Sequence, residues 1–196
     1  MRTISPRRWR MGLIGVLAIC ATVTLVPATA LADGSSTVAP ASYQPDGQIR
    51  EACAKELQNC TPSWFGSDIY NTTAQGQKAI YYDCCGFEGG PVAFRIAIQN
   101  DGAAADRFHV LATGRTHGYK VRFFRGTTDI TAAVKAGTYR TPLLAPGEAV
   151  RIRAKVWPVD DCCTARVTRL VTLTSVADPT KQDAVRLVRK VFVCTC

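Results

Sequence analysis

Methionine and histidine are scarce in this chain, and none of them lies close to its paired cysteines in sequence. The two methionines are Met1 and Met11, and the two histidines are His109 and His117. Copper-handling proteins use methionine and histidine ligands as well as cysteine, so this scarcity argues against that class. The chain also lacks a Cys-x-x-Cys motif, which a catalytic thiol–disulfide site beside a helix would require.

Acidic residues are missing from the first 32 positions. Four arginines occupy the first ten positions, an uncharged run follows from Met11 to Leu31, and Ala28-Thr29-Ala30 and Ala30-Leu31-Ala32 both have a small-x-small pattern. These features predict a signal peptide over residues 1–32. A retained membrane anchor is the alternative, since about 20 apolar residues can span a bilayer. Pro27 and the two cleavage patterns favour removal of the segment.

Cleavage after residue 32 predicts a chain of 164 residues that is secreted or held in the cell envelope, with no membrane span. Four arginines and no acid leave with the leader, so the formal charge falls from +9 to +5. A chain of this size can bury about two-thirds of its unfolded surface around one core. We therefore predict a flexible linker over residues 33–45, which are small and polar, and one domain over residues 46–196.

The predicted domain shows apolar residues with a period of two. The alternation is clearest over 92–99, 119–124 and 150–157, and the segments 165–175 and 184–193 supply the last two strands. Turn residues recur between these segments, and few stripes have the length of a helix. The pattern predicts an all-β, antiparallel sandwich. The segment 48–57 has some helical character, and the pattern does not decide whether it forms the first strand.

Several short motifs follow one another in a recognisable order. They are Ile69-Tyr70-Asn71-Thr72-Thr73, Ile98-Gln99-Asn100-Asp101-Gly102, Asp129-Ile130-Thr131, Ala136-Gly137-Thr138-Tyr139, Leu144-Ala145-Pro146-Gly147 and Asp178-Pro179. In this order they resemble the bacterial immunoglobulin-like modules of the CARDB and NEW3 kind, over residues 46 to 193. The resemblance implies an immunoglobulin-like antiparallel β-sandwich with a non-catalytic spacer, adhesion or carbohydrate-associated role.

The predicted mature chain has an even number of cysteines, because Cys20 lies in the leader. They are Cys53, Cys60, Cys84, Cys85, Cys162, Cys163, Cys194 and Cys196. An even count in an exported chain predicts disulfides. If the last two strands pair, Cys162 and Cys163 face Cys194 and Cys196, and an immunoglobulin-like order brings Cys84 and Cys85 to the same end. We predict a sandwich tied by disulfides at one end, with Cys53–Cys60 as a local loop and the other pairings open.

A metal site is the alternative use of these cysteines. Asp83-Cys84-Cys85 and Asp161-Cys162-Cys163 repeat one triplet, and thiolates together with carboxylates can bind zinc. A cysteine-based metal-binding or redox protein is therefore a second functional hypothesis. The leading interpretation predicts no metal and no cofactor, because an oxidising compartment favours disulfides.

Basic residues occupy one face of two predicted strands. Lys120 and Arg122 share one face of their strand, as do Arg151, Arg153 and Lys155 of theirs. If the two faces coincide, they form a polyanion-binding surface suited to a cell-wall polymer or an acidic glycan. The alternative is that these are only the polar, outward positions of a half-buried sheet. Further basic residues near the C-terminal end are Arg186, Arg189 and Lys190.

Aromatic and catalytic patterns add little to this interpretation. No aromatic interleaving suited to base stacking is evident, so nucleic acid is not an expected partner. Trp64 and Phe65 suit either a sugar platform or a plug at the end of the core, and Trp157 lies in an outward register. No clustered catalytic set is found, and Asp160-Asp161 is interpreted as turn chemistry. The sequence predicts a non-enzymatic, exported structural, adhesive or envelope-associated module that binds a cell-wall polymer, a glycan or another surface protein.

Overall fold

The computed structural model describes residues 42–52, 63–84, 90–159 and 166–192. Within these ranges the chain forms eleven strands and one short helix. These are β1 (Pro45–Ala52), β2 (Lys78–Cys84), β3 (Val92–Asn100), β4 (Phe108–Thr113), β5 (Thr116–His117), β6 (Tyr119–Arg125), β7 (Thr128–Asp129), α1 (Thr131–Ala136), β8 (Tyr139–Arg140), β9 (Ala149–Pro158), β10 (Arg166–Ser175) and β11 (Gln182–Phe192). In the same part of the chain, no helix has the length and apolar character needed to cross a membrane.

The strands form two sheets. Sheet A has the order β1-β3-β9-β6-β7, and sheet B has the order β2-β11-β10-β4-β8, with β5 also paired to β10. The prediction of an all-β fold with two sheets is confirmed. The prediction of wholly antiparallel pairing is wrong at one edge of sheet B, where β2 runs parallel to β11. These strands are distant in sequence, so no tight hairpin turn dictates their relative direction.

One hydrophobic core lies between the sheets. Sheet A contributes Phe94, Ile96 and Phe123, and sheet B contributes Phe108 and Leu173, all completely buried. Alternate residues of each strand therefore face the core, as the period of two predicts. Burial of each such side chain stabilises the fold by about 1.5–3 kcal/mol. The same alternation sets the intervening residues on the outer faces.

The strand predictions over 92–99, 119–124, 150–157, 165–175 and 184–193 are confirmed by β3, β6, β9, β10 and β11. The sequence did not decide whether the segment 48–57 forms a strand. Its first five residues, 48–52, belong to strand β1. Strand β2 and helix α1, which begins two residues after Asp129, were not predicted. The helix ends at Gly137, whose φ of 71° places it in the left-handed conformation typical of a C-terminal cap.

Arg189 lies in the core and does not contribute to the protein surface. Its side chain is completely buried on β11. The guanidinium donates hydrogen bonds to the carbonyl oxygens of Val156 (2.7 Å) and Gly90 (3.2 Å). It also lies over the ring of Tyr119, 4.9 Å from the ring centroid. Because Val156 and Tyr119 belong to sheet A, this one side chain links the two sheets.

Candidate polyanion-binding face

The two basic strand faces predicted from the sequence lie side by side. Strands β6 and β9 are antiparallel neighbours in sheet A, with Arg122 opposite Lys155 and Lys120 opposite Trp157. The alternating residue Val121 is buried in the core. The basic side chains of both strands therefore occupy the outer face of the same sheet.

Two further arginines extend this surface. On the other side of β9, Arg153 is opposite Arg95 of β3. Arg95 is in turn opposite Arg50 of β1. The cationic face is accordingly defined by Arg50, Arg95, Lys120, Arg122, Arg151, Arg153 and Lys155. Neighbouring strands lie about 4.7–4.9 Å apart, so a row of three arginines crosses about 10 Å of the sheet.

Aromatic rings lie among these cations. The Arg50 guanidinium is 4.5 Å from the centroid of the Trp64 ring. Arg153 and Lys155 lie 5.7 and 5.5 Å from the centroid of Phe124. The rings attract the cations through their π electrons and limit the motion of the long side chains. Phe124 and Trp64 reach this surface from β6 and from the segment before β2. These contacts with cations do not test whether any ring is suited to base stacking, so the absence of a nucleic-acid partner stays a prediction.

The positive charge of the cationic face is largely unpaired. Among the described residues, its one ion pair joins Arg122 Nη1 to Asp129 Oδ2 at 3.7 Å, and both side chains are nearly half exposed. An exposed pair of this kind contributes about 0–1 kcal/mol and neutralises little of the field. The face therefore offers several cations to an external anion.

The end of β2, the end of β11 and the start of β10 lie together at one end of sheet B. Cys84 is the last residue of β2 and pairs with Phe192 of β11. Arg166, the first residue of β10, pairs with Lys190 of β11. The predicted disulfide cysteines other than Cys84 lie outside the described residues, as do the predicted signal peptide and residues 33–41 of the linker.

No metal centre occurs in the described part of the chain, where no group of three or more histidine, cysteine, aspartate or glutamate side chains could hold an ion. The two histidines are far apart on sheet B. His117 pairs with Arg166 at one end of β10. His109 pairs with Thr174 near the other end.

A buried carboxylate network, not anticipated from the sequence, closes the edge of the sandwich. Asp183 on β11 is completely buried. Its carboxylate accepts hydrogen bonds from the backbone N–H of Gly47 (2.6 Å), the backbone N–H of Asn71 (2.9 Å) and Gln77 Nε2 (2.8 and 2.9 Å). Burial raises the pKa of Asp183, although the N–H groups that bind it act in the opposite direction. The network joins β1, the segment before β2, and β11.

Asp46 adds a second buried carboxylate beside this network. It accepts a hydrogen bond from Gln48 Nε2 through Oδ2 (2.7 Å), while Oδ1 has no partner within the described residues. Burial raises the pKa of Asp46 to about 6. Two buried carboxylates with raised pKa values are a feature of some active sites. Here both are 1 % exposed or less, so neither can touch a substrate.

Comparison with known proteins gives no family. No family model and no curated protein match the chain. Solved structures with partial likeness include the secreted serine protease VesC from Vibrio cholerae (13% identity, TM-score 0.37, 59% of this chain and 22% of that chain). The ASH/PapD-like domain 7 of human CEP192 is 8% identical, with a TM-score of 0.35 over 58% of this chain and 82% of that domain.

A family 123 glycoside hydrolase from Clostridium perfringens is 7% identical, with a TM-score of 0.31 over 59% of this chain and 23% of that chain. The chain thus spans less than a quarter of the length of either enzyme. Likenesses this weak carry no functional inference.

Proposed function

We propose that this protein is an exported, non-enzymatic module that binds an anionic polymer through its cationic face. The observation that supports this is the row Arg50–Arg95–Arg153, in register across three strands, with further cations on both sides. A polymer with regularly spaced negative charges can contact several of these side chains at once. Such contacts release counterions from the polymer, which is the main source of affinity in binding of this kind.

The aromatic contacts support the same proposal. Binding costs free energy when long, mobile side chains become ordered, by about 0.5–1.5 kcal/mol each. Arg50 over Trp64 and Arg153 over Phe124 are already restrained in the free protein. The free-energy cost of ordering these two side chains on binding is therefore smaller. The polymer classes that fit are a phosphate-rich cell-wall polymer and an acidic glycan, both expected partners outside the cytosol.

The decisive experiment measures affinity for a polymer as salt is raised. Polyphosphate and polygalacturonate serve as probes, because they separate phosphate from carboxylate recognition. We expect binding of at least one probe to weaken about tenfold or more between about 50 and about 200 mM salt. Replacement of the exposed residues Arg95 and Arg151 by glutamate should weaken binding at about 50 mM salt by a further tenfold or more, since two attractive contacts become repulsive.

The matched control carries the same charge change elsewhere. Arg140 and Lys181 are exposed residues outside sheet A, and the double variant R140E/K181E should change affinity less than about twofold. Equal losses in the two double variants would show that net charge, rather than the cationic face, drives binding. Salt-independent binding, or no binding of either probe by the unaltered protein, would contradict the proposal outright.

We further propose that the module is immunoglobulin-like and that disulfides tie one end of it. The support is the order β2-β11-β10 in sheet B. It brings the end of β2, the end of β11 and the start of β10 to the same end of the sheet. Cys85 follows β2, Cys194 follows β11 by two residues, and Cys163 precedes β10 by three residues. Bonds among these strand ends would each contribute about 2–4 kcal/mol.

Thiol titration and native mass spectrometry test the tie. We expect the purified, exported protein to show no free thiol under denaturing conditions and no bound metal ion in its native mass. Reduction should then expose eight thiols, matching the cysteines that follow residue 32. Free thiols together with a bound metal ion would instead support the alternative, a cysteine-based metal-binding or redox protein.

A further inference from the structure

An open cavity of about 540 Å³ lies on sheet B, on the other side of the sandwich from the cationic face. Its floor is the outward side of β10, where Arg166, Thr168 and Leu170 alternate with buried Val167 and Val171. The side chains that line this cavity are together called the arginine pocket. They are Arg115, His117, Arg166, Thr168, Leu170 and Arg186.

Positive charge converges on the arginine pocket from three separate segments. Arg166 comes from β10, Arg186 from the adjacent β11, and Arg115 from the segment that precedes β5. Among the described residues that line the cavity, none is acidic. Arginines from three segments, with no lining carboxylate among the described residues, give the cavity a positive potential. The pocket therefore has the electrostatics of an anion site.

One wall of the pocket is held rigidly. The backbone N–H of Thr168 donates to the carbonyl oxygen of Arg115 at 3.1 Å, and Arg169 Nη1 donates to the carbonyl oxygen of Gly114. Gly114 has a φ of 120°, and a Cβ atom there would lie 2.3 Å from the Thr168 carbonyl oxygen. Only glycine permits this approach. The segment carrying Arg115 and His117 is thus fixed against β10.

The opposite wall is also positioned by a backbone contact. Arg186 Nη2 donates to the carbonyl oxygen of Thr73 at 2.9 Å. A guanidinium held by one of its nitrogens keeps donors free and loses less entropy when it binds an anion.

The lining chemistry indicates the class of ligand. Arginine binds phosphate through paired N–H donors, and a threonine hydroxyl adds a further hydrogen bond. A bare phosphate ion would leave much of the cavity empty, because cavities of about 300–1,000 Å³ suit small organic molecules. Leu170 supplies an apolar contact for such a molecule. We propose that the arginine pocket binds a small phosphate monoester, such as a glycerol phosphate or sugar phosphate unit.

Calorimetric titration of the whole protein with glycerol phosphate at constant ionic strength tests this proposal. We expect saturable binding with one site per chain. Replacement of the exposed Arg166 by glutamine should weaken it about tenfold, since one charge-assisted contact is lost. A second variant, Arg115→Gln, should act in the same direction. Glycerol at the same concentration should not bind.

The matched control is Arg140→Gln, which removes one exposed arginine that belongs to neither site and should leave glycerol phosphate binding unchanged. Loss of polymer binding in R95E/R151E with intact glycerol phosphate binding would separate the two sites. Equal weakening by R140Q and R166Q, binding of glycerol itself, or no saturable binding would overturn the proposal. Stronger binding of inorganic sulfate than of the monoester would likewise contradict the assigned ligand class.

Discussion

Replacement of Asp183 by alanine should lower the free energy of unfolding by about 3–5 kcal/mol, as measured by denaturant unfolding at neutral pH. The change leaves the backbone N–H groups of Gly47 and Asn71 without their acceptor, and it removes two of the three acceptors of Gln77 Nε2. A buried donor without an acceptor costs about 1–3 kcal/mol. Domains of this size have a total stability of about 5–15 kcal/mol, so much of the reserve disappears.

The neighbouring carboxylate, Asp46, supplies a second test through the pH dependence of stability. Asp46→Asn keeps an acceptor for Gln48, while its amide nitrogen takes the place of Oδ1, which has no partner among the described residues. Because the pKa of Asp46 is raised from 3.8 to about 6, the native state holds a proton that the unfolded chain releases between these values. The unaltered protein therefore loses stability as pH rises from about 4 to about 6 and levels off above.

The stability of Asp46→Asn relative to the unaltered protein should consequently rise by up to about 3 kcal/mol between about pH 4 and about pH 6, because asparagine has no charge to bury. Unfolding curves at the two pH values measure it. A stability difference for Asp46→Asn that stays constant between the two pH values would contradict the raised pKa of Asp46. A neutral effect of Asp183→Ala would show that the hydrogen bonds to its carboxylate contribute little to the fold.

Replacement of Arg189 by alanine should be comparably destructive, at about 3–5 kcal/mol. The substitution empties a large, fully buried volume. It also removes the donors to the carbonyl oxygens of Val156 and Gly90. Arg189→Met keeps most of the volume and isolates the hydrogen-bonding part, so its cost should be about half.

Arg151→Ala is the matched control for Arg189, because it removes an arginine that is exposed on the outer face. Its effect on the unfolding midpoint should stay within about 0.5 kcal/mol. Thermal or denaturant unfolding of the three variants measures the series. If Arg189→Ala lowered the free energy of unfolding no more than Arg151→Ala, the contacts of Arg189 between the two sheets would not stabilise the fold.

Much of the fold could be predicted from the sequence, because strands with one buried face alternate visibly. Strands β3, β6 and β9 do so clearly. Strand β2 does not, since Ile80 and Tyr82 on its outer face are as apolar as Ala79 and Tyr81 on its inner face. Strand β1 is obscured because Gly47 takes an inward position, where a Cβ atom would lie 2.9 Å from Leu173.

The cationic face was only partly predictable for a related reason. Alternation within β6 and β9 shows which residues share a strand face, but strand order decides which faces meet. Arg95 lies in a correctly predicted strand, yet its place opposite Arg153 depends on the pairing of β3 with β9. Arg50 also required β1 to be recognised as a strand. The arginine pocket brings together residues more than 70 positions apart, which no local pattern reports.

The carboxylate of Asp183 also affects the order in which parts of the domain fold. It accepts hydrogen bonds from the backbone N–H groups of Gly47 and Asn71, which lie 136 and 112 residues earlier in the chain. Contacts of such long range form slowly, because a large loop has to close first. In a chain that emerges from its N terminus, the N–H groups of Gly47 and Asn71 therefore lack this acceptor until β11 is in place. The hydrogen bonds that join β1 to β11 therefore form late in folding, when Asp183 on β11 accepts from the backbone N–H of Gly47 on β1.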